Sequence, residues 1–150
     1  MINNTDKIIP GKSLGGININ DPLDTVLEKI VQSGYSYQTF NFSADYTQFV
    51  LNSGEIKFVI NNNSKLVANI CCTKPYKGKS LGVYGPGISI KNLIDISEKQ
   101  IILHGFIIVD GVFEMGYNLP NEFEELDEVH DLPANFVLEE LYIMKENWWR

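Results

Sequence analysis

The pentapeptide Gly-Lys-Ser-Leu-Gly occurs at residues 11–15 and again at residues 78–82. After a short insertion the match resumes, because the six residues from Gly16 to Asp21 (Gly-Ile-Asn-Ile-Asn-Asp) align with those from Gly87 to Asn92 (Gly-Ile-Ser-Ile-Lys-Asn). Glycine permits a tight turn, and the Ile-x-Ile alternation is typical of a short, half-buried strand. We therefore predict a single domain built by internal duplication, with halves at about residues 11–77 and 78–150.

A helix is predicted after the short strand of each copy. In the first copy Asp21 is the expected N-cap, Pro22 is the first helical residue and Gly34 ends the helix. Between them, apolar residues recur at helical spacing: Leu23, Val26, Leu27, Ile30 and Val31. In the second copy Asn92 is the expected N-cap of a shorter helix.

Strand patterns follow each predicted helix. They cover residues 35–42, 49–51, 56–60 and 66–72 in the first half, and 101–103, 106–109 and 112–117 in the second. Asn52-Ser53-Gly54 and Asp110-Gly111 are hairpin signals. We favour a strand over a helix for Val137–Met144, because Val, Tyr and Ile favour strands and Pro133 precedes them. These patterns predict an α+β fold, a mostly antiparallel β-sheet with two short helices on one face.

The net charge of −7 is concentrated in the last quarter of the chain. Residues 1–110 contain nine acids and ten bases, whereas residues 111–150 contain ten acids against Lys145 and Arg150. Nucleic acids and anionic membranes require clustered Lys and Arg, so neither is an expected partner. Two interpretations of the negative charge remain: it binds a basic protein partner, or it serves only to keep the protein soluble.

A cytoplasmic location is expected. Met1–Pro10 does not have the pattern of a signal peptide, and no apolar run approaches the length of a membrane-spanning helix. Cys71 and Cys72 are neighbours in a predicted strand and therefore point to opposite faces, so they are expected to be free, buried thiols.

Catalytic motifs are weak in this sequence. A phosphate-binding loop needs a glycine five residues before each Gly-Lys-Ser, where Asp6 and Thr73 stand instead. Two histidines are too few for an ordinary zinc site. A catalytic site formed by Cys72 and His104 is kept as an alternative. His104 is predicted to lie in a strand, where a lone histidine is more often structural. No cofactor is expected.

Six carboxylates without an intervening base lie between Pro120 and Pro133: Glu122, Glu124, Glu125, Asp127, Glu128 and Asp131. They lack the distinct environments that glycosidase carboxylates need and the central glycine of a calcium loop. Two hypotheses are left open, a solvated loop and a docking surface for a basic protein. Phe123, Leu126 and Val129, spaced by three, are expected to fasten the segment, and Phe123 is also a candidate anchor on a partner.

Two aromatic groups are predicted to be internal. Trp148 and Trp149 are expected to cap the core, with exposed interface anchors as the alternative. The aromatic stripe formed by Tyr35, Tyr37, Phe40, Phe42 and Tyr46 is expected to stack within the core.

The unit Gly15–Val26, followed by a β meander, resembles the strand-helix-sheet modules of small bacterial proteins. Examples are the β-lactamase inhibitor proteins and a lipoprotein of the outer-membrane assembly machinery. It differs from the lipoprotein in that neither a signal sequence nor a lipidated cysteine is expected. The second half, from Gly78 through Asp110–Glu114 to Leu141–Ile143, resembles small cytosolic immunity proteins encoded beside bacterial toxins.

This resemblance implies a binding protein rather than an enzyme. The expected function is neutralisation of a cognate basic toxin, which we expect to be a nuclease, through the acidic residues and Phe123. A non-catalytic adaptor that pairs through a sheet edge and an enzyme with an unrecognised site are the alternatives.

Overall fold

The computed structural model describes residues 1–52 and 54–150. The helices are α1 (Leu23–Ser33) and α2 (Ile90–Ile96). The strands, in chain order, are β1 (Ser13–Leu14), β2 (Ile17–Asn18), β3 (Tyr37–Asn41), β4 (Tyr46–Leu51), β5 (Ile56–Asn61), β6 (Val67–Thr73), β7 (Ile88–Ser89), β8 (Gln100–Leu103), β9 (Phe106–Val109), β10 (Met115–Asn118), β11 (Val137–Leu138) and β12 (Glu140–Met144). The chain is therefore α+β, as the sequence predicted.

Eight strands form one antiparallel sheet in the order β3-β4-β5-β6-β12-β10-β9-β8. β3 to β6 follow α1 in the chain, and β8, β9, β10 and β12 follow α2, so each half supplies one helix and four neighbouring strands. The halves meet where β6 pairs with β12, from Thr73–Glu140 to Asn69–Met144. Two copies of a helix-and-four-strand unit would produce this order, and a common origin of the halves stays a prediction.

The core lies on one face of this sheet. Ile70 of β6 and Ile143 of β12 belong to the same buried cluster as Val26 of α1 and Leu93 of α2. Both helices therefore cover this face, which we call the helix face. Because neighbouring residues of a strand point to opposite sides, Cys71 lies on the other side, which we call the open face.

Helix α1 ends at Gly34 as predicted, with the glycine at a positive φ of 72°. The prediction that Asp21 is the N-cap is wrong, because Pro22 occupies that position. The carbonyl oxygen of Asp21 instead accepts a hydrogen bond from the backbone N–H of Val67 at 3.0 Å, which keeps Asp21 outside the helix. Its carboxylate pairs with Lys29 at 3.3 Å.

Helix α2 is capped by Ser89. Its Oγ accepts a hydrogen bond from the backbone N–H of Asn92 at 3.2 Å. The predicted cap at Asn92 is therefore wrong by three residues, because a serine at the end of β7 already satisfies the N–H of Asn92.

Several strand boundaries differ from those predicted. The segment Val137–Met144 divides at Glu139, because β11 pairs with β7 whereas β12 enters the large sheet. The strand predicted from residue 112 begins only at Met115, after a turn in which Asp110 and Gly111 both have positive φ. β4 and β5 are antiparallel neighbours, as the predicted hairpin requires, but its Ser53 lies outside the described residues.

Candidate functional site: an acidic surface segment

The six predicted carboxylates lie in residues 121–131, which we call the acidic segment. This segment connects β10, inside the large sheet, with β11, which pairs with β7 next to α2. It contains two short 3-10 turns, Asn121–Phe123 and Val129–Asp131. The second turn lies close to β8, so the segment is at the β8 edge of the sheet.

Three apolar side chains fasten the acidic segment to the core, as their spacing predicted. The Phe123 ring meets the Phe136 ring edge to face, with centroids 5.0 Å apart. Leu126 is half-buried against the core, and Val129 is only 1% exposed. The contact of Phe123 is therefore made within the chain, and its use as an anchor on a partner stays a prediction.

All six carboxylates of the acidic segment are exposed. In the described part of the chain the ion pairs join Lys29 to Asp21, Lys57 to Glu140 and Lys91 to Asp95, so none of them involves the six. Lys and Arg are absent from residues 121–131, and His130 is the one residue there that can become cationic. Among the described residues, the six carboxylates therefore present negative charge that is not compensated by an ion pair.

The structure does not bring the candidate catalytic pair together. Cys72 is fully buried on the helix face, where burial raises the pKa of its thiol. The prediction that His104 lies in a strand is wrong. His104 lies in the turn between β8 and β9, at a φ of 50°. Its ring lies against that of Trp148, which packs on the open face, so the sheet separates it from Cys72.

A polar cluster that we had not predicted lies in the middle of the open face. Lys57 Nζ is 2.9 Å from Glu140 Oε2, and Asn118 donates to the other oxygen of that carboxylate at 3.4 Å. Cys71 Sγ is 3.9 Å from Glu140 Oε2. Burial first, and then the Glu140 charge, raise the pKa of the Cys71 thiol well above its usual value, so this cysteine stays protonated.

The sequence contains a signal for this cluster. Lys57 stands between Ile56 and Phe58, and Glu140 adjoins Leu141, so each charged side chain occupies the alternate position of an otherwise apolar strand. A lysine and a glutamate at such positions indicate a strand with one polar face. Their pairing could not be predicted, because it depends on β5, β6 and β12 being neighbours.

The predicted aromatic core positions are wrong for four of the five residues. Tyr37, Phe40, Phe42 and Tyr46 are all exposed, because they belong to β3, β4 and their connection at the edge of the sheet. Tyr35, the remaining member of the stripe, is half-buried and packs against the core, as predicted.

The C-terminal tryptophans are half-buried and cover part of the open face rather than the core. The Trp148 ring packs edge to face on Phe106, at 5.4 Å, and its indole N–H donates to the carbonyl oxygen of Phe113. The Trp149 ring stacks on the ring of Phe113 at 4.8 Å. The prediction that these residues cap the core is therefore wrong, and they cover Phe106 of β9 and Phe113 of the β9–β10 connection.

Two general features bear on function. Over residues 1–52 and 54–150, no helix has both the length and the apolar character needed to cross a membrane. In the same residues, no three side chains of His, Cys, Asp or Glu are grouped so that they could hold a metal ion.

Comparisons of the chain with family models, with curated proteins and with solved structures found no match.

Proposed function

We propose that this chain is an immunity protein that binds a cognate bacterial toxin in the cytoplasm and neutralises it. We infer that the toxin is a nuclease and that the acidic segment occludes its active site, which is basic because it holds phosphate groups. The observation that carries the proposal is the set of six exposed carboxylates, free of ion pairs, on one anchored segment.

The anchoring supports an inhibitory role. Phe123, Leu126 and Val129 hold the segment on the core, so its carboxylates are already arranged before a partner arrives and less conformational entropy is lost on binding. A concentrated negative surface also accelerates the encounter with a basic partner and disfavours acidic ones.

A non-catalytic adaptor is the second candidate, and the edge strand β3, whose five residues are all exposed, favours it. Catalysis by Cys72 with His104 has no support in the described geometry, since the sheet lies between the two side chains.

Charge reversal in the acidic segment tests the proposal. The partner to use is the product of the gene immediately upstream, purified together with this chain. We expect Glu124→Lys/Glu125→Lys to slow association by about tenfold or more, because two attractive charges become repulsive at the contact. We also expect the association rate of the natural sequence to fall steeply as salt rises from about 0.05 to 0.5 M, because salt screens exposed charges. Stopped-flow fluorescence measures both.

The matched control is Glu28→Lys/Glu98→Lys, which makes the same change in net charge at two exposed positions outside the acidic segment. It should preserve most of the association rate. Circular dichroism confirms that both variants are folded. Equal rates for the two double variants would contradict the role of the acidic segment, and an upstream product that does not bind the chain would contradict the immunity function.

A further inference from the structure

The edge strand β3 is unprotected. It pairs with β4 alone, and all five of its residues are exposed. The opposite edge strand, β8, has the Val129–Asp131 turn beside it and is half-buried throughout. Proteins usually protect a sheet edge with charged residues, proline or a covering segment, because a bare edge pairs with other strands.

The outward-pointing backbone groups of β3 can be identified from the hydrogen bonds at its two ends. The carbonyl oxygen of Ser36 accepts from the N–H of Asn52 at 2.8 Å, and the N–H of Phe42 donates to the carbonyl oxygen of Tyr46 at 3.1 Å. Alternate residues of an antiparallel strand direct their backbone groups to the same neighbour. The even-numbered residues therefore bond to β4, whereas Tyr37, Thr39 and Asn41 direct their N–H and C=O groups away from the sheet.

The chemistry of this edge is unlike that of the rest of the surface. Residues 35–44 contain no charged side chain, although the chain as a whole carries −7. The four exposed aromatic side chains of the described residues, Tyr37, Phe40, Phe42 and Tyr46, all lie here, and Phe42 is 60% exposed. The first charged residue beyond residues 35–44 is Asp45, which is exposed in the β3–β4 connection beside Tyr46. Exposed aromatic residues on an uncharged strand are typical of the centre of a protein interface.

We propose that the β3 strands of two copies of this chain pair antiparallel about a two-fold axis at Thr39, which joins the two sheets into one. In this register Thr39 faces Thr39 of the second copy, and Tyr37 faces Asn41 in both directions. These are the residues whose backbone groups point outward, so each such pair can exchange two N–H···O=C bonds. A two-fold interface of this kind needs a self-complementary surface, and an uncharged strand is one.

Charge identifies the occupant as a second copy rather than a basic protein. β3 itself carries no carboxylate, and Asp45 is the one carboxylate of the β3–β4 connection, whereas six lie in the acidic segment. The uncharged strand lets two chains of −7 approach each other with little repulsion. The acidic segment lies at the β8 edge, seven strand spacings away, or about 33 Å. The two-fold axis places the two acidic segments at opposite ends of the joined sheet, where repulsion is least and both stay accessible.

Sedimentation velocity over about 1–100 µM tests the pairing. The natural chain should be dimeric at the upper end of this range. Thr39→Lys and Thr39→Glu should each weaken dimerisation by about tenfold or more, because like charges then meet at the axis. An equimolar mixture of the two variants should form the dimer again, since Lys then faces Glu.

A natural chain that is monomeric throughout would overturn the proposal, as would single variants that dimerise normally or a mixture that remains monomeric. Because Thr39 is exposed, circular dichroism should show that both variants retain the fold.

A cross-link tests the position of the axis independently. The natural cysteines are buried, so Thr39→Cys introduces one accessible thiol per chain. Mild oxidation should give a covalent dimer, whereas Gln32→Cys, at an exposed position of α1, should remain largely monomeric under the same conditions. Equal cross-linking of the two variants would contradict an axis at Thr39.

Discussion

Gly78, the first residue of the second Gly-Lys-Ser-Leu-Gly, is held against the N-terminal residues. A Cβ atom at this position would lie 1.9 Å from the backbone carbonyl oxygen of Asp6. We predict that Gly78→Ala lowers the free energy of unfolding by about 3 kcal/mol, because backbone must move to relieve the clash. Gly82, the last residue of the same copy, has a φ of 73° and no atom within 4 Å of such a Cβ. Gly82→Ala should cost only about 1 kcal/mol of backbone strain, and equal losses in urea unfolding would contradict the packing role of Gly78.

Identical residues of the two pentapeptides have different surroundings. Leu14 is fully buried in β1, whereas Leu81 is 78% exposed in a turn with a φ of 53°. The sequence identified the repeat but not this difference, because burial depends on what packs against each copy. Next to the first copy, for example, the carbonyl oxygen of Met1 packs against Gly16. A local sequence pattern cannot predict this contact, because Met1 lies outside the repeat.

At the scale of the elements, periodicity predicted most of what the chain forms. Helix α1 itself, its end at Gly34 and the β9 range Phe106–Val109 were predicted correctly. Of the five apolar residues that predicted α1, Val31 is exposed and does not face the core. The caps were not, because Asp21 and Asn92 are good cap residues whose backbone groups have other partners in the folded chain. The aromatic residues of β3 were assigned to the core because the pattern of a strand does not distinguish an edge from the centre of a sheet.

The acidic segment depends on one aromatic contact. We predict that Phe123→Ala lowers the free energy of unfolding by about 2 kcal/mol, less than for a fully buried phenylalanine, because the ring packs on Phe136 while half-buried. Amide hydrogen exchange should accelerate chiefly in residues 121–132. Val31→Ala, a truncation at an exposed position of α1, should change stability by no more than about 0.5 kcal/mol. Exchange that increases evenly along the chain would show that Phe123 does not anchor this segment specifically.

For the whole molecule, the order of strands decides where the functional surfaces lie. Residues that are distant in sequence, such as Lys57 and Glu140, meet because β12 pairs with β6 across the centre of the sheet. The same order places β3 and the acidic segment at opposite edges. Hydrophobic pattern is local and does not specify this order, so the six carboxylates could be named from the sequence, whereas the open-face cluster and the exposed edge could not.

The pairing of β6 with β12 should make the two halves unfold together. Leu141 in β12 is fully buried opposite Cys72 in β6, so Leu141→Ala should lower the free energy of unfolding by about 3 kcal/mol. Tryptophan fluorescence reports the second half, since both tryptophans are at positions 148 and 149, whereas far-UV circular dichroism reports all strands and helices. Measured in urea at one protein concentration, the two signals should have the same midpoint in the natural chain and shift together in the variant.

Leu81→Ala, at an exposed position, should leave the midpoint almost unchanged. A fluorescence transition that precedes a separate transition in circular dichroism would show instead that each half unfolds independently.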